Sequence, residues 1–198
     1  MHEVIVTLRE NKLPIIKTNN LILRDIEIED ITPEYFQWLN KPNVNGFLEI
    51  RFVTQTEEML RNYIQKKLED TYNSKHFGVY DEEGTRLVGT VTLPSINWHH
   101  LYADISFVIG HPNAPKGKGY ATDAVHGVVD YVFRYCGLKK LWAGYYDGHK
   151  ASEHVLLKNG FQVEGRQRML LINNKNKRVD NILVGLLSED YLDVQLQL

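Results

Sequence analysis

Pro115-Lys116-Gly117-Lys118-Gly119-Tyr120-Ala121-Thr122 lies between an apolar run, Ile105-Ser106-Phe107-Val108-Ile109, and a segment in which Ala121, Ala124, Val125, Val128, Val132, Phe133 and Cys136 recur at helical spacing. The stretch therefore reads as strand, glycine loop, helix. Two glycines one residue apart at the mouth of a helix leave backbone N–H groups uncovered. The first turn of a helix carries unpaired N–H donors and the positive end of the macrodipole, so an anion sits there readily. Lys116 and Lys118 add positive charge, and the stretch predicts a pyrophosphate cradle over 116–122. The plainer alternative is a turn with two exposed lysines that merely starts a helix. A Walker loop is excluded because no pair of glycines is separated by four residues and followed by Lys and Ser/Thr. A dinucleotide fingerprint is excluded because the third glycine is missing and the loop lies beyond mid-chain.

What is left, Lys116-x-x-Gly119-x-Ala121, resembles the acetyl-CoA loop of the GNAT acetyltransferase superfamily, whose first position is usually Gln or Arg. Two further landmarks agree in order and spacing. His149-Lys150-Ala151-Ser152 leading to Asn159-Gly160-Phe161 and Glu164-Gly165 is similar to that superfamily's Asn-x-x-Ser helix ending in Gly-Phe, with His149 in place of Asn. Leu21-Ile22-Leu23-Arg24 resembles the first strand of the RimJ/RimL-type branch. The resemblance spans roughly 21–187. It implies an α/β fold with a mixed, mostly antiparallel sheet flanked by helices, in which strands 102–109 and 141–146 splay apart to hold acetyl-CoA.

Composition bounds the rest. The chain has 198 residues, 43% of them hydrophobic, enough for one N-acetyltransferase domain over 1–198 with an extended lead-in at 1–20 and a tail at 189–198. A formal charge of −2 argues against a nucleic-acid surface. The single cysteine, Cys136, excludes an intramolecular disulfide and reads as a core residue. No apolar run reaches the ~18 residues of a membrane helix, and no signal peptide is evident, so a cytoplasmic protein is expected. No Cys/His cluster has metal-ligand spacing, and no metal is expected.

Periodicity predicts a strand at 21–26, a helix at 29–39, a loop at 43–52 and a helix opened by the capping-box pattern Thr54-x-x-Glu57. Strands follow at 77–80, 87–93 and 102–109, then a helix over 122–136 closed by Gly137, a strand at 141–146, a helix at 151–159, and strands at 161–172 and 179–187.

Acetyl transfer needs an anchored pyrophosphate, a thioester placed beside a neutral amine, and a proton for the leaving thiolate. The resemblance implies that the pantetheine arm runs along Phe107, Val108 and Ile109, that a backbone N–H near Val108 polarises the thioester carbonyl, and that His149 and Ser152 border the cofactor. The tyrosine that many GNATs use as acid is here Leu156. Ser152 is the substitute the branch suggests, the alternative being a helix-capping serine; Tyr145 and Tyr146 come second, and solvent could serve. Candidate bases are Glu49, Asp104, His99, His100, His149 and Glu164. Glu164 reads more readily as a strand-surface carboxylate and His99-His100 as a solvated loop pair. Trp38, Phe47, Phe52 and Trp98 could stack on a ligand or fill the core. The expected acceptor is the primary amine of a small molecule, an amino sugar among the choices, entering between Asn43–Phe52 and Trp98–His100. Two alternatives stay open: a protein N-terminal acetyltransferase and a non-catalytic acyl-CoA-binding module. A second copy of the chain is kept as a possible partner.

Overall fold

The computed structural model describes residues 13–70, 72–115 and 117–195, with 193–195 and an additional strand at 3–5 described by their backbone alone. The strands are β1 (Glu3–Ile5), β2 (Ile15–Lys17), β3 (Ile22–Asp25), β4 (Lys75–Tyr80), β5 (Leu87–Leu93), β6 (Ile96–Asn97), β7 (Tyr102–Asp104), β8 (Ser106–Ile109), β9 (Lys140–Tyr146), β10 (Gln162–Ile172) and β11 (Arg178–Leu187). The helices are α1 (Pro33–Leu39), α2 (Pro42–Asn45), α3 (Glu57–Glu69), α4 (Tyr120–Tyr131), α5 (Lys150–Lys158) and α6 (Ser188–Gln195).

The strands form two sheets, in the orders β1-β2-β3-β4-β5-β8 and β10-β11-β9-β7-β6. Every pair is antiparallel except β7 with β9, which is parallel. The expected strand 102–109 is thus one run of chain that changes sheets. Its first half pairs with β9 and its second half with β5. Ile105 makes the last bond to β9, its N–H donating to Trp142 O at 2.9 Å. Beyond that point β8 and β9 diverge, and the mostly antiparallel α/β fold with a splayed strand pair is as the sequence led one to expect.

The larger core lies on the face that α4 covers. Ala124, Val125, Val128 and Val132 of the α4 segment are buried with Leu23, Phe77, Val79 and Val91 of the sheet. Each such side chain contributes roughly 1.5–3 kcal/mol when fully buried. Tyr35, Trp38, Leu39, Leu60 and Ile64 of α1 and α3 form a second cluster with Ile26 and Ile31.

The structure refines five sequence expectations. The lead-in contains two paired strands, β1 and β2. The helix expected from 29 is split, a 3-10 turn at Ile28–Asp30 and then α1, because Pro33 has no N–H and takes the first helical position instead. The loop at 43–52 contains α2 and a 3-10 turn at Glu49–Phe52. The cap of α3 is Thr56 rather than Thr54: its hydroxyl accepts from Met59 N–H at 3.2 Å. Asn40 holds both backbone groups of Gln55, at 2.8 Å each, so the chain stays extended past Thr54. The expected tail is also ordered through 195 as α6, where the buried Tyr191 hydroxyl donates to Asp130 at 3.0 Å.

Candidate active site

The glycine loop ends where α4 begins. Gly119 is the N-cap of α4 with φ +78°, and Gly117 has φ +73°. A Cβ at either position would meet no atom within 4 Å, so backbone conformation, not crowding, calls for glycine there. Gly117, Lys118 and Gly119 are exposed and Tyr120, Ala121 and Thr122 half-buried, which leaves the first N–H groups of α4 facing outward. Lys116 lies outside the described residues. The start of α4 is held from two sides. Asp123 accepts from Thr18 Oγ1 at 2.5 Å and from Asn20 N–H at 3.2 Å. The buried Asn159 donates to Thr122 O at 3.2 Å and to Val155 O at 2.9 Å, tying the end of α5 to the start of α4. Gly160, with φ +88°, then turns the chain so that Phe161 enters the core at 2% exposure.

A cavity of about 670 Å³ opens at the split between β8 and β9. Phe107, Val108, Tyr145, His149 and Ser152 all line it; Ile109 and residues 117–122 do not. The ladder decides which N–H groups near Val108 face the split. Gly110 N–H donates to Val88 O at 3.0 Å, and Thr90 faces Val108 two residues further along the same antiparallel pair. Bonds alternate along such a pair, so the Val108 N–H is directed to β5. The N–H groups of Phe107 and Ile109 point the other way, like that of Ile105, towards the split. Of the N–H groups near Val108, those of Phe107 and Ile109 are thus free of the β5 ladder, and Val108 lines the cavity.

On the α5 side, His149 is the N-cap residue and its ring stacks on Phe47, with centroids 4.2 Å apart. Burial pushes its pKa down. Ser152 sits in the first turn of α5, whose N-cap residue, His149, makes no side-chain cap bond. Leu156 is buried at 1% exposure. Tyr145 is 6% exposed, and burial, then the charge of Glu153, raises its pKa.

The opposite wall is built by elements that sequence periodicity left as separate pieces. Tyr146 donates its hydroxyl to Glu49 Oε1, and Arg51 donates to the same hydroxyl at 3.0 Å. Arg51 also donates to Ile172 O and lies over the rings of Phe52 and Tyr146. The loop between α2 and α3 is thereby fastened to the tip of the β10–β11 hairpin. Burial, then Glu49, raises the Tyr146 pKa, with Arg51 opposing. Deeper in, Thr92 Oγ1 lies 2.7 Å from His76 Nδ1, and Tyr63, Tyr35 and Thr90 line the same wall. Burial, then the charge of Lys67, pushes the His76 pKa down to about 3. Sequence reasoning missed Arg51 and His76. A single histidine in a strand carries no signal until its neighbours across the sheet are known.

Several candidates fall elsewhere. Asp104 accepts from Ser95 N–H at 3.1 Å, and burial raises its pKa, but it does not line the cavity. Glu164 pairs with Lys140 at 2.6 Å on the sheet surface. The backbone N–H groups of His99 and His100 bond to Asn97 Oδ1 at 3.1 and 2.9 Å. Trp98 donates to Tyr72 O at 2.9 Å, so Trp98–His100 do not border the cavity as expected. Trp38 is core at 1% exposure, Phe52 is exposed, and only Phe47 of that aromatic set faces the cavity. Cys136 is half-buried, its pKa raised by burial. Among the described residues no cluster of three His, Cys, Asp or Glu could hold a metal ion. No helix among them is long and apolar enough to cross a membrane.

A sheet split beside a glycine-capped helix, with a polar-floored cavity running in from the split, defines the acyl-transferring class of this fold. A family profile described as "Acetyltransferase (GNAT) domain" matches residues 20–162, and the chain belongs to that family as an N-acetyltransferase. Among curated relatives, the probable N-acetyltransferase YjcK of Bacillus subtilis is 30% identical over 173 residues, covering 84% of this chain and 91% of the relative. The uncharacterized N-acetyltransferase YoaA of the same organism is 27% identical over 165 residues, covering 81% and 90%. Among solved structures, a GNAT-family acetyltransferase from Bacillus anthracis superposes with TM-score 0.75 at 24% identity, covering 88% of this chain and 99% of that one. Spermidine N-acetyltransferase from Vibrio cholerae, in complex with CoA and spermine, superposes with TM-score 0.74 at 25% identity, covering 87% and 98%.

Proposed function

We propose that this N-acetyltransferase moves an acetyl group from acetyl-CoA to the primary amine of a small molecule by direct transfer in a ternary complex. The observation that carries the reading is the continuous cavity running from the β8/β9 split past Ser152 to the Glu49–Tyr146 pair. The open glycine turn at Gly117 and Gly119 suits a diphosphate, since the backbone there has no side chain to cover it. Acetyl-CoA supplies the activated acetyl group when bound. The chain's own part is to orient and to move protons. The Phe107 N–H polarises the carbonyl; fixed donors of this kind are worth most in a site that excludes water. Ser152 and Tyr145 stand on the α5 side of the split, where a departing thiolate needs a proton. Glu49, through its free carboxylate oxygen, holds the ammonium at the mouth and takes the proton it must lose before the neutral amine attacks.

The same reading treats 1–198 as one N-acetyltransferase domain of the RimJ/RimL-type branch, on the Leu21–Arg24 strand and the His149–Ser152 helix start, acting in the cytoplasm. Membership of an enzyme family weighs against the non-catalytic alternative, and a cavity of about 670 Å³ favours a small acceptor over a protein N-terminus. An amino sugar is one acceptor of the right size. The test is release of free thiol from acetyl-CoA in the presence of alkylamines, amino sugars, polyamines and peptides, with mass spectrometry of the product. Amine-dependent release with a small acceptor is expected. Turnover confined to peptide N-termini would move the reading to protein modification.

A further inference from the structure

Among the described residues the cavity wall carries one carboxylate, Glu49, and no lysine or arginine. Its two histidines are neutral: His76 is held at about 3, and burial lowers His149. Of the hydroxyls on the wall, that of Thr92 is paired with His76 and that of Tyr146 with Glu49. Much of the remaining wall is apolar, from Leu39, Ile50, Met59, Leu60, Ile105 and Leu171. Glu49 accepts one bond from Tyr146, and a carboxylate has about four acceptor positions, so it can still receive one ammonium. A second cation would find no second anion. Arg51, behind the wall, stands 3.0 Å from the Tyr146 hydroxyl and adds positive charge beside Glu49 rather than a second anion. An ammonium taken from water into such a wall without a partner is strongly disfavoured, and so is a phosphate with no cation to receive it.

We infer that the acceptor is a monoamine, its one ammonium docked on Glu49 and its uncharged, mainly apolar body lying between α3 and β5. Polyamines and amines carried on a nucleotide are rejected by this cavity. The inference rests on the acetyl-transfer reading above and names its substrate class.

Two measurements on the CoA-saturated full-length protein and the active enzyme separate the inference from that reading. Calorimetry compares the binding of hexylamine and phenethylamine with that of hexamethylenediamine and spermidine, and thiol release compares their acetylation. Hexylamine should bind and react better than hexamethylenediamine by roughly 30-fold or more, the scale set by one buried charge left unpaired. Met59→Glu, on the partly exposed face of α3, should shift that ratio about tenfold towards the diamine by supplying a second carboxylate. Diamine binding equal to or tighter than that of the monoamine overturns the inference while leaving acetyl transfer intact. So does failure of all four amines to bind. Selective monoamine binding with no acetylation of any amine supports the inference about the cavity and overturns the acetyl-transfer reading.

Discussion

Neutral His76 should make the fold acid-sensitive in a way that one substitution removes. The ring is buried among Thr92, Tyr63 and the sheet, and its pKa falls from the ordinary histidine value of about 6.5 to about 3. Between those two values the unfolded chain binds a proton at this position and the folded chain does not. Stability from this group is therefore fully present above about pH 6.5 and declines as pH falls, by about 1.4 kcal/mol per unit, until the folded pKa is reached. From about pH 7.5 to about pH 5 the expected loss is about 2 kcal/mol. At a urea slope of about 2 kcal/mol/M the midpoint should drop by roughly 1 M. Urea titrations of wild type and His76→Asn at the two pH values isolate the effect, because asparagine keeps a partner for Thr92 and cannot titrate. Other groups contribute equally to both proteins, so the readout is the difference between the two pH-induced shifts. Equal shifts in wild type and variant would refute the argument that His76 is buried and neutral, and would also remove one support for the uncharged cavity.

Gly119→Val should weaken CoA binding at least tenfold by calorimetry and cost roughly 1–2 kcal/mol of stability, because φ +78° is a left-handed conformation that a β-branched residue resists; undiminished affinity would remove the loop from the binding site. Ser152→Ala should lower turnover by about tenfold or more with acetyl-CoA affinity little changed; a rate within about twofold of wild type would leave Tyr145 or solvent as the proton source. Tyr146→Phe should raise KM for the amine more than it lowers kcat, since it frees Glu49 and Arg51 from their shared hydroxyl, and an unaltered KM argues against Glu49 as the amine's partner. Thr56→Ala should cost about 1 kcal/mol and Thr54→Ala close to nothing, measured by thermal unfolding, because only Thr56 accepts from the first turn of α3.

What the sequence determined by itself is local or periodic. The glycine turn before α4 was legible because only glycine serves two nearby positive-φ positions, and the α4 face was legible because seven apolar residues recur at helical spacing. Gly160-Phe161 was legible as a helix end followed by a core anchor. Those signals, taken in order, led to the fold. Caps and breaks that depend on a distant side chain were not legible: Thr54 and Thr56 look alike until Asn40, fifteen residues away, pins Gln55. The direction of a strand N–H was not legible either, because alternation says which side chains share a face but not which neighbour the backbone bonds. Only the pairing of β5 with β8 turned the Val108 N–H towards β5 and those of Phe107 and Ile109 away from it. The acceptor wall is the extreme case. Glu49, His76 and Tyr146 come from a loop, one sheet and the other, and their chemistry exists only once the split strand brings those pieces together. Tertiary structure decided the charge of that wall because burial, which no residue carries in its own name, sets whether a histidine is a cation.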